Sequence, residues 1–404
     1  MSIDWVWLLM GACAVFALGW LASRFDIKQL KMENHRNPKA YFQGLNFLLN
    51  EQQDQAIDSF IEAVQQDPDT SELHFALGNL FRRRGEFERA VRVHQHLLAR
   101  ADLSAKDRHR AKFALAEDYL RAGIIDRAED ALKGLDGTAL EPQALLALLN
   151  LYERSRDWER ATEIAKRLEA LGEGDFSARL AHYWCEQASK CTEPMSAKGL
   201  IEKALSCAPK NARAQLALAQ VLHSLGQEEA SFNALQTLMS DTPRFTGLGA
   251  ALFAELAIKL DQTQAALELL ALSYQGKPRL DVLEAMVVLR NHQTAVELSQ
   301  ANHIGTTNDL PQTDPTSRAI HGQALYAAHL ERTPSLIAAT QWLKSEELSD
   351  PQTQARILQT LDKSSMPLKR YRCAACGFEA LSHFWQCPGC QAWDSYPPER
   401  IEEL

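Results

Sequence analysis

Read from the N-terminus, the chain opens on an unbroken apolar block. Nineteen uncharged residues, WVWLLMGACAVFALGWLAS, run from Trp5 to Ser23 between Asp4 and Arg24. As a helix at about 1.5 Å per residue they reach about 28 Å, close to the ~30 Å hydrocarbon core of a bilayer. The pattern predicts a transmembrane anchor over 1–23. Trp5, Trp7 and Trp20 stand where indole rings prefer the membrane interface. No Lys or Arg precedes the block, whereas Arg24, Lys28, Lys31 and Arg36 follow it. Residues 24–36 therefore read as a basic juxtamembrane linker, and the positive-inside rule keeps the rest of the chain on the cytoplasmic side of a membrane crossed once. A cleavable secretory signal would begin with a basic segment and carry a shorter apolar core, and neither is present.

Beyond the linker the apolar and small positions stop running together and begin to recur. Gly44, Phe47 and Ala56 return 34 residues later as Gly78, Phe81 and Ala90; Phe81, Gly85 and Ala90 return 38 residues on as Tyr119, Gly123 and Ala128; Tyr152 and Ala161 follow at offset 33. A period near 34 is that of the tetratricopeptide helix pair, and the first unit resembles that family in Gly44, Phe47, Ala56, Phe60, Ala63 and Pro68. Small residues let paired helices approach, an aromatic ring fills the space between pairs, and proline stops the second helix. The repeats are expected over 37–275, the last of them weaker, with degenerate helical repeats over 276–365 and helices predicted at 280–301 and within 319–361. The stretch 304–317, IGTTNDLPQTDPTS, lacks apolar periodicity and reads as a loop.

Such arrays present a groove lined by first-helix side chains. In the second and third units Phe75, Asn79, Arg82, Arg83, Phe113, Glu117 and Arg121 are the candidate partner-binding positions, an aromatic and guanidinium surface suited to an acidic peptide. The bland alternative is that Arg82, Arg83 and Arg84 form a solvated charged run. The carboxylate clamp that holds chaperone tails needs a Lys where Phe75 stands, which argues against that adaptor class.

Composition narrows the function. Of the 404 residues 46% are hydrophobic, enough for a folded core, and 43 Lys and Arg against 52 Asp and Glu leave a formal charge of −9, which opposes nucleic-acid binding through a broad basic surface. No Walker A run, H-E-x-x-H, G-x-S-x-G or dinucleotide glycine fingerprint is present, so the chain is not expected to be an enzyme.

The cysteines carry the clearest chemistry. Four of the eight, Cys373, Cys376, Cys387 and Cys390, form two C-x2-C knuckles near the C-terminus. Two knuckles aim four thiolates at one point, a tetrahedral site for one zinc or iron ion that is closed to substrate. Gly377 and Gly389 are expected to ease the turns, Lys369, Arg370 and Arg372 to offset the thiolate charge, and Phe378, Phe384, Trp385 and Trp393 to form a small core. So small a module needs its metal to fold. Two disulfides or a dithiol redox pair are the competing readings, and His383 is read as an ordinary surface residue.

An anchor, a tetratricopeptide array and a C-terminal four-cysteine module in this order resemble the lipopolysaccharide assembly protein B family of Gram-negative bacteria, above all in GLNFLLNEQQDQAIDSF, LGNLFRRRGEFERAVRVHQ, RYRCAACGF and FWQCPGCQAW. The resemblance implies an all-α fold, a tetratricopeptide superhelix with an N-terminal transmembrane helix and a rubredoxin-like, zinc-ribbon module over 366–404. It implies a single-pass inner-membrane adaptor, facing the cytoplasm, that promotes degradation of the deacetylase committing carbon to lipid A (LpxC-type) by a membrane-anchored ATP-dependent metalloprotease (FtsH-type). A membrane regulator that senses lipopolysaccharide would restrain it. A scaffold for lipopolysaccharide biosynthesis and transport components is the alternative reading. Oligomeric state is left open, a homo-oligomer among the options.

Overall fold

The computed structural model describes residues 10–20, 39–66, 70–304, 316–346 and 350–404. Residues 10–20 are helical (α1), and among the described residues no helix is long and apolar enough to cross a membrane. The two ends of the expected anchor, the 24–36 linker, Pro68 and most of the 304–317 loop lie outside the described residues. The chain divides into two compact units, Met1–Leu148 and Leu149–Leu404.

The first unit contains α2 (Lys39–Leu49), α3 (Gln53–Gln66), α4 (Ser71–Arg84), α5 (Phe87–Ala99), α6 (Ala105–Ala122) and α7 (Ile125–Lys133), with α8 (Glu141–Ser155) running across the boundary. The recurring small residues do what their spacing implies. Ala56, Ala63, Ala90 and Ala128 are fully buried. A Cβ added at Gly44 would lie 2.9 Å from the Phe60 ring, and one at Gly78 2.5 Å from the His94 ring. Paired helices approach to a distance that only glycine permits there.

Six of the turns inside helix pairs are built on one plan. The last turn of the first helix closes with a six-residue backbone bond onto a residue in the left-handed region. Glu86 N–H reaches the Phe81 carbonyl and Ile124 N–H the Tyr119 carbonyl, each at 2.9 Å, with Gly85 (φ 84°) and Gly123 (φ 75°) between them. The same bond recurs at Gln52, Asp157, Gln227 and Gln262. At these turns the left-handed residue is Glu51 (φ 59°), Arg156 (φ 56°), Gly226 (φ 72°) and Asp261 (φ 54°). The periodic aromatics Phe47, Phe81, Tyr119 and Tyr152 supply the accepting carbonyls in four of the six.

The second unit continues with α9 (Trp158–Ala170), α10 (Ser177–Ser189), α11 (Pro194–Cys207), α12 (Ala212–Ser224), α13 (Glu228–Asp241), α14 (Thr246–Lys259) and α15 (Thr263–Gly276). The segment read as weak repeats therefore keeps full helix pairs, with Phe232 and Phe253 stacked 4.5 Å apart at its centre. A longer α16 (Leu280–Ile304) follows, then α17 (Thr316–Arg332), α18 (Leu336–Ser345) and α19 (Pro351–Ser365). The chain ends in a small module in which β1 (Tyr371–Arg372) pairs antiparallel with β2 (Glu379–Ala380), Tyr371 opposite Ala380, and in a 3-10 turn at Ile401–Glu403.

Candidate metal centre and its seat on the helices

The two knuckles are built alike. Gly377 N–H donates to the Cys373 carbonyl and Gln391 N–H to the Cys387 carbonyl, each at 2.9 Å; Cys373 N–H then donates to the Phe378 carbonyl and Cys387 N–H to the Ala392 carbonyl, again at 2.9 Å. The residue after the second cysteine of each knuckle is left-handed, Gly377 at φ 78° and Gln391 at φ 64°. Gly389 has a different role from the one expected: it gives room to Phe378, whose Cβ lies 3.4 Å from where a Gly389 Cβ would stand.

These turns bring the four sulfurs within 4.8 Å of one another. Cys373 Sγ lies 3.8 Å from Cys390 Sγ, and Cys376 Sγ 3.6 Å from Cys387 Sγ. A tetrahedron with metal–sulfur bonds of about 2.3 Å has edges of about 3.8 Å, so the donor set fits a divalent zinc or iron ion. All eight cysteines are free among the described residues, which removes the disulfide reading. Cys373 and Cys387 are buried, while Cys376 and Cys390 reach the surface. Burial opposes ionisation of Cys373, but Ser395 Oγ at 3.3 Å and backbone N–H groups outweigh it and hold the thiol at about 6. At Cys376 the Phe378 N–H favours the thiolate, yet the neighbouring sulfurs push it up to about 12. Four adjacent thiolates need a cation.

Lys369, Arg370 and Arg372 do not supply it. Lys369 Nζ lies 3.7 Å from Asp362, and Arg370 and Arg372 both turn to Glu379, at 3.5 and 2.9 Å. The expected core is also different. Tyr371, Cys373, Cys387 and Tyr396 form it, with Ala380 and Phe384 against them, while Phe378 remains exposed. Trp385 and Trp393 lie outside this core and turn toward the helices.

Trp393 stacks on His182 of α10 at 4.7 Å and meets Trp158 and Tyr183 edge-on at 5.8 and 6.0 Å. Its Nε1–H donates to Glu153 of α8 at 3.3 Å, and that buried carboxylate also accepts from Tyr183 Oη. Burial and Glu153 together drive the Tyr183 phenol far above its ordinary range. His182 Nε2 lies 2.9 Å from Asp394. Trp385 packs against Phe245 at 5.3 Å and His383 at 4.8 Å. His383 is thus no surface residue: it donates to the Tyr396 carbonyl, and burial lowers its pKa. Ring pairs of this kind add about 0.5–1.5 kcal/mol each beyond the area they bury.

A second set of contacts comes from the last residues. Glu399 is buried beside Lys277 (2.9 Å), Arg244 (3.5 Å) and Arg279 (3.7 Å). Burial works against its charge, and the three cations overcome that and hold its carboxyl below the usual range. Arg400 pairs with Asp281 of α16, and Tyr371 Oη donates to the same carboxylate at 3.3 Å. Glu402 accepts from Ser335 Oγ at 2.7 Å and from Leu336 N–H at 2.5 Å at the start of α18. Glu403 accepts from Leu280 N–H at 2.6 Å at the start of α16. Sequence reasoning missed these acids; only their spacing in PPERIEEL could have pointed to them.

In the first unit the groove positions separate. Phe75 is only 2% exposed, packed with Leu97 and Ala111 under the Arg110 guanidinium, so it lines no groove. Arg82 is held by Asn79 (2.6 Å), the Ala114 carbonyl (3.0 Å), Asp118 (2.8 Å) and Glu117 (2.9 Å). Asp118 is wholly buried and also meets His94 Nδ1 at 2.5 Å, so Asn79, Arg82 and Glu117 join α4 to α6. Arg83 and Arg121 stay exposed, and Phe113 is half-buried.

Residues 371–397 match the family described as rubredoxin metal binding domain, and residues 73–108 the tetratricopeptide repeat family. The chain is 30% identical over 403 residues to lipopolysaccharide assembly protein B of Escherichia coli (strain K12), covering 98% of each chain. It is 28% identical over 419 residues to the protein of the same name from Haemophilus influenzae (strain ATCC 51907 / DSM 11121 / KW20 / Rd), covering 99% of each. Among solved structures it is similar to the TPR2AB domain of yeast Sti1 in complex with pHSP90, at 16% identity over 67% of this chain and 98% of that one, TM-score 0.34. The Naa15/Naa10 complex bound to HypK-THB is similar at 15% identity over 80% and 50%, TM-score 0.41.

Proposed function

We propose, since the chain belongs to the lipopolysaccharide assembly protein B family, that it is a non-catalytic adaptor anchored in the inner membrane by residues 1–23, with its body in the cytoplasm. Its role is to bring the deacetylase that commits carbon to lipid A to a membrane-anchored ATP-dependent metalloprotease of FtsH type, under restraint by a membrane protein that senses lipopolysaccharide. The observation that carries the reading is the closed four-cysteine site seated through Trp393 and Trp385 on the repeat helices. A tetrahedral site with four protein ligands offers no open position for substrate. Its effect is to shape a surface.

In this adaptor, membrane tethering replaces tight binding. Confining adaptor and protease to one plane raises their effective concentration without any new contact. Deleting residues 1–23 is expected to leave a folded, metal-loaded body that no longer shortens the half-life of the deacetylase in cells. Unchanged turnover, measured by pulse-chase, would remove the tethering step. A scaffold that assembles lipopolysaccharide components without directing proteolysis is the second reading, favoured by the family name alone. It predicts unchanged deacetylase half-life even when the whole chain is absent.

A further inference from the structure

Three carboxylates of the C-terminal segment sit in three receptors made by the helices of the second unit. Glu399 occupies the Lys277, Arg244 and Arg279 cluster, Glu402 the N-terminus of α18, and Glu403 the N-terminus of α16. The hold is almost entirely polar. No residue of the 3-10 turn is buried, and Leu404 is 65% exposed. Two backbone bonds, from Ile401 N–H to the Arg370 carbonyl at 2.7 Å and from Glu402 N–H to the Leu368 carbonyl at 3.3 Å, also tie the segment to the chain entering the module. The module docks mainly through aromatic rings, so the segment can leave by breaking polar contacts alone.

The receptors are set by the helices themselves. Arg279 Nη1 donates to the Pro243 carbonyl at 2.8 Å, and Ser335 already caps α18 through the Ala338 N–H at 2.9 Å. The fit of Glu399 is also incomplete. Arg279 has 7% of its side chain exposed, yet its Nε–H finds no acceptor, and Glu399 Oε2 receives no hydrogen bond. Buried donors and acceptors are normally paired, so the pocket offers more hydrogen-bonding capacity than its present occupant uses.

We infer that this face is a receptor for an acidic peptide segment of E-x2-E-E spacing on a partner protein, and that the chain's own Glu399–Leu404 fills it as a tethered competitor. Tethering supplies an effective concentration of about millimolar order, so a partner segment enters only when it pairs the receptor better or arrives tethered itself. The proposal concerns this face alone, and its failure would leave the membrane-adaptor reading standing.

The test uses a fluorescein-labelled peptide, PPERIEEL, and the control PPQRIQQL. The full chain carrying Glu399→Gln, Glu402→Gln and Glu403→Gln is expected to bind the acidic peptide about ten-fold more tightly than the unmodified chain, whose tail competes, and to ignore the control. Equal binding by the two chains, or none by the metal-loaded variant, overturns the proposal. If the triple substitution unseats the helices, seen as lost helical ellipticity, the unmodified chain decides. Zero-length carbodiimide crosslinking of Lys277 to Glu399 should fall with added PPERIEEL and not with PPQRIQQL; crosslinking that stays constant overturns the proposal equally.

Discussion

Asp118 shows how one buried charge organises its neighbours. A carboxylate removed from water is tolerable only when it is paired and hydrogen-bonded, and Arg82 from α4 and His94 from α5 meet it from two sides. Removing one partner of such a group costs about 3–5 kcal/mol, because the other is left buried and uncompensated. Arg82→Ala is therefore expected to lower unfolding stability by about 3 kcal/mol in urea titration, whereas Arg83→Glu, one residue on and exposed, should stay within about 0.5 kcal/mol of the parent. Similar losses for both would place Arg83 in the packing. The sequence offers three consecutive arginines and no means of telling which faces inward. That depends on the partner residue 36 positions away, which helical phase alone does not identify.

At the scale of the element, the six left-handed turns set a clear expectation. Gly85, Gly123 and Gly226 adopt positive φ freely, whereas Glu51, Arg156 and Asp261 adopt it against their Cβ, at a cost of about 1–2 kcal/mol. Asp261→Gly should raise stability by about 0.5–1 kcal/mol after the entropy of the added glycine is deducted. Gly123→Ala should lower it by about 1 kcal/mol. Thermal unfolding measures both, and a destabilised Asp261→Gly chain would mean that its side chain holds the turn by other contacts. The helix pairs were legible because Gly44, Phe47 and Ala56 repeat in register with Gly78, Phe81 and Ala90. The later pairs looked weak because Asp261 stands where a glycine would have marked the turn, although the backbone bond from Gln262 to Ala257 is the same.

Across the second unit, metal, module and helices form one mechanical chain. The four cysteines were legible from spacing alone, since two C-x2-C turns admit few other outcomes. The seat was not, because Trp385 and Trp393 look like core residues of a small module until the helices that receive them are in view. Chelation of the metal at neutral pH is expected to unfold residues 371–397 and withdraw Trp393 from His182, while the helical ellipticity of α9 to α16 persists. Hydrogen exchange should report the difference; protection of the module that survives complete metal loss would show that the helices alone fold it. The edge-on contact between Trp158 and Trp393 at 5.8 Å has a practical corollary. Two indoles so close, from distant parts of the chain, couple their strong Bb transitions, so far-ultraviolet dichroism should carry an exciton couplet, superposed on the helical signal, that is present only while the module is seated. The protein thus contains its own optical gauge of assembly, readable without a dye.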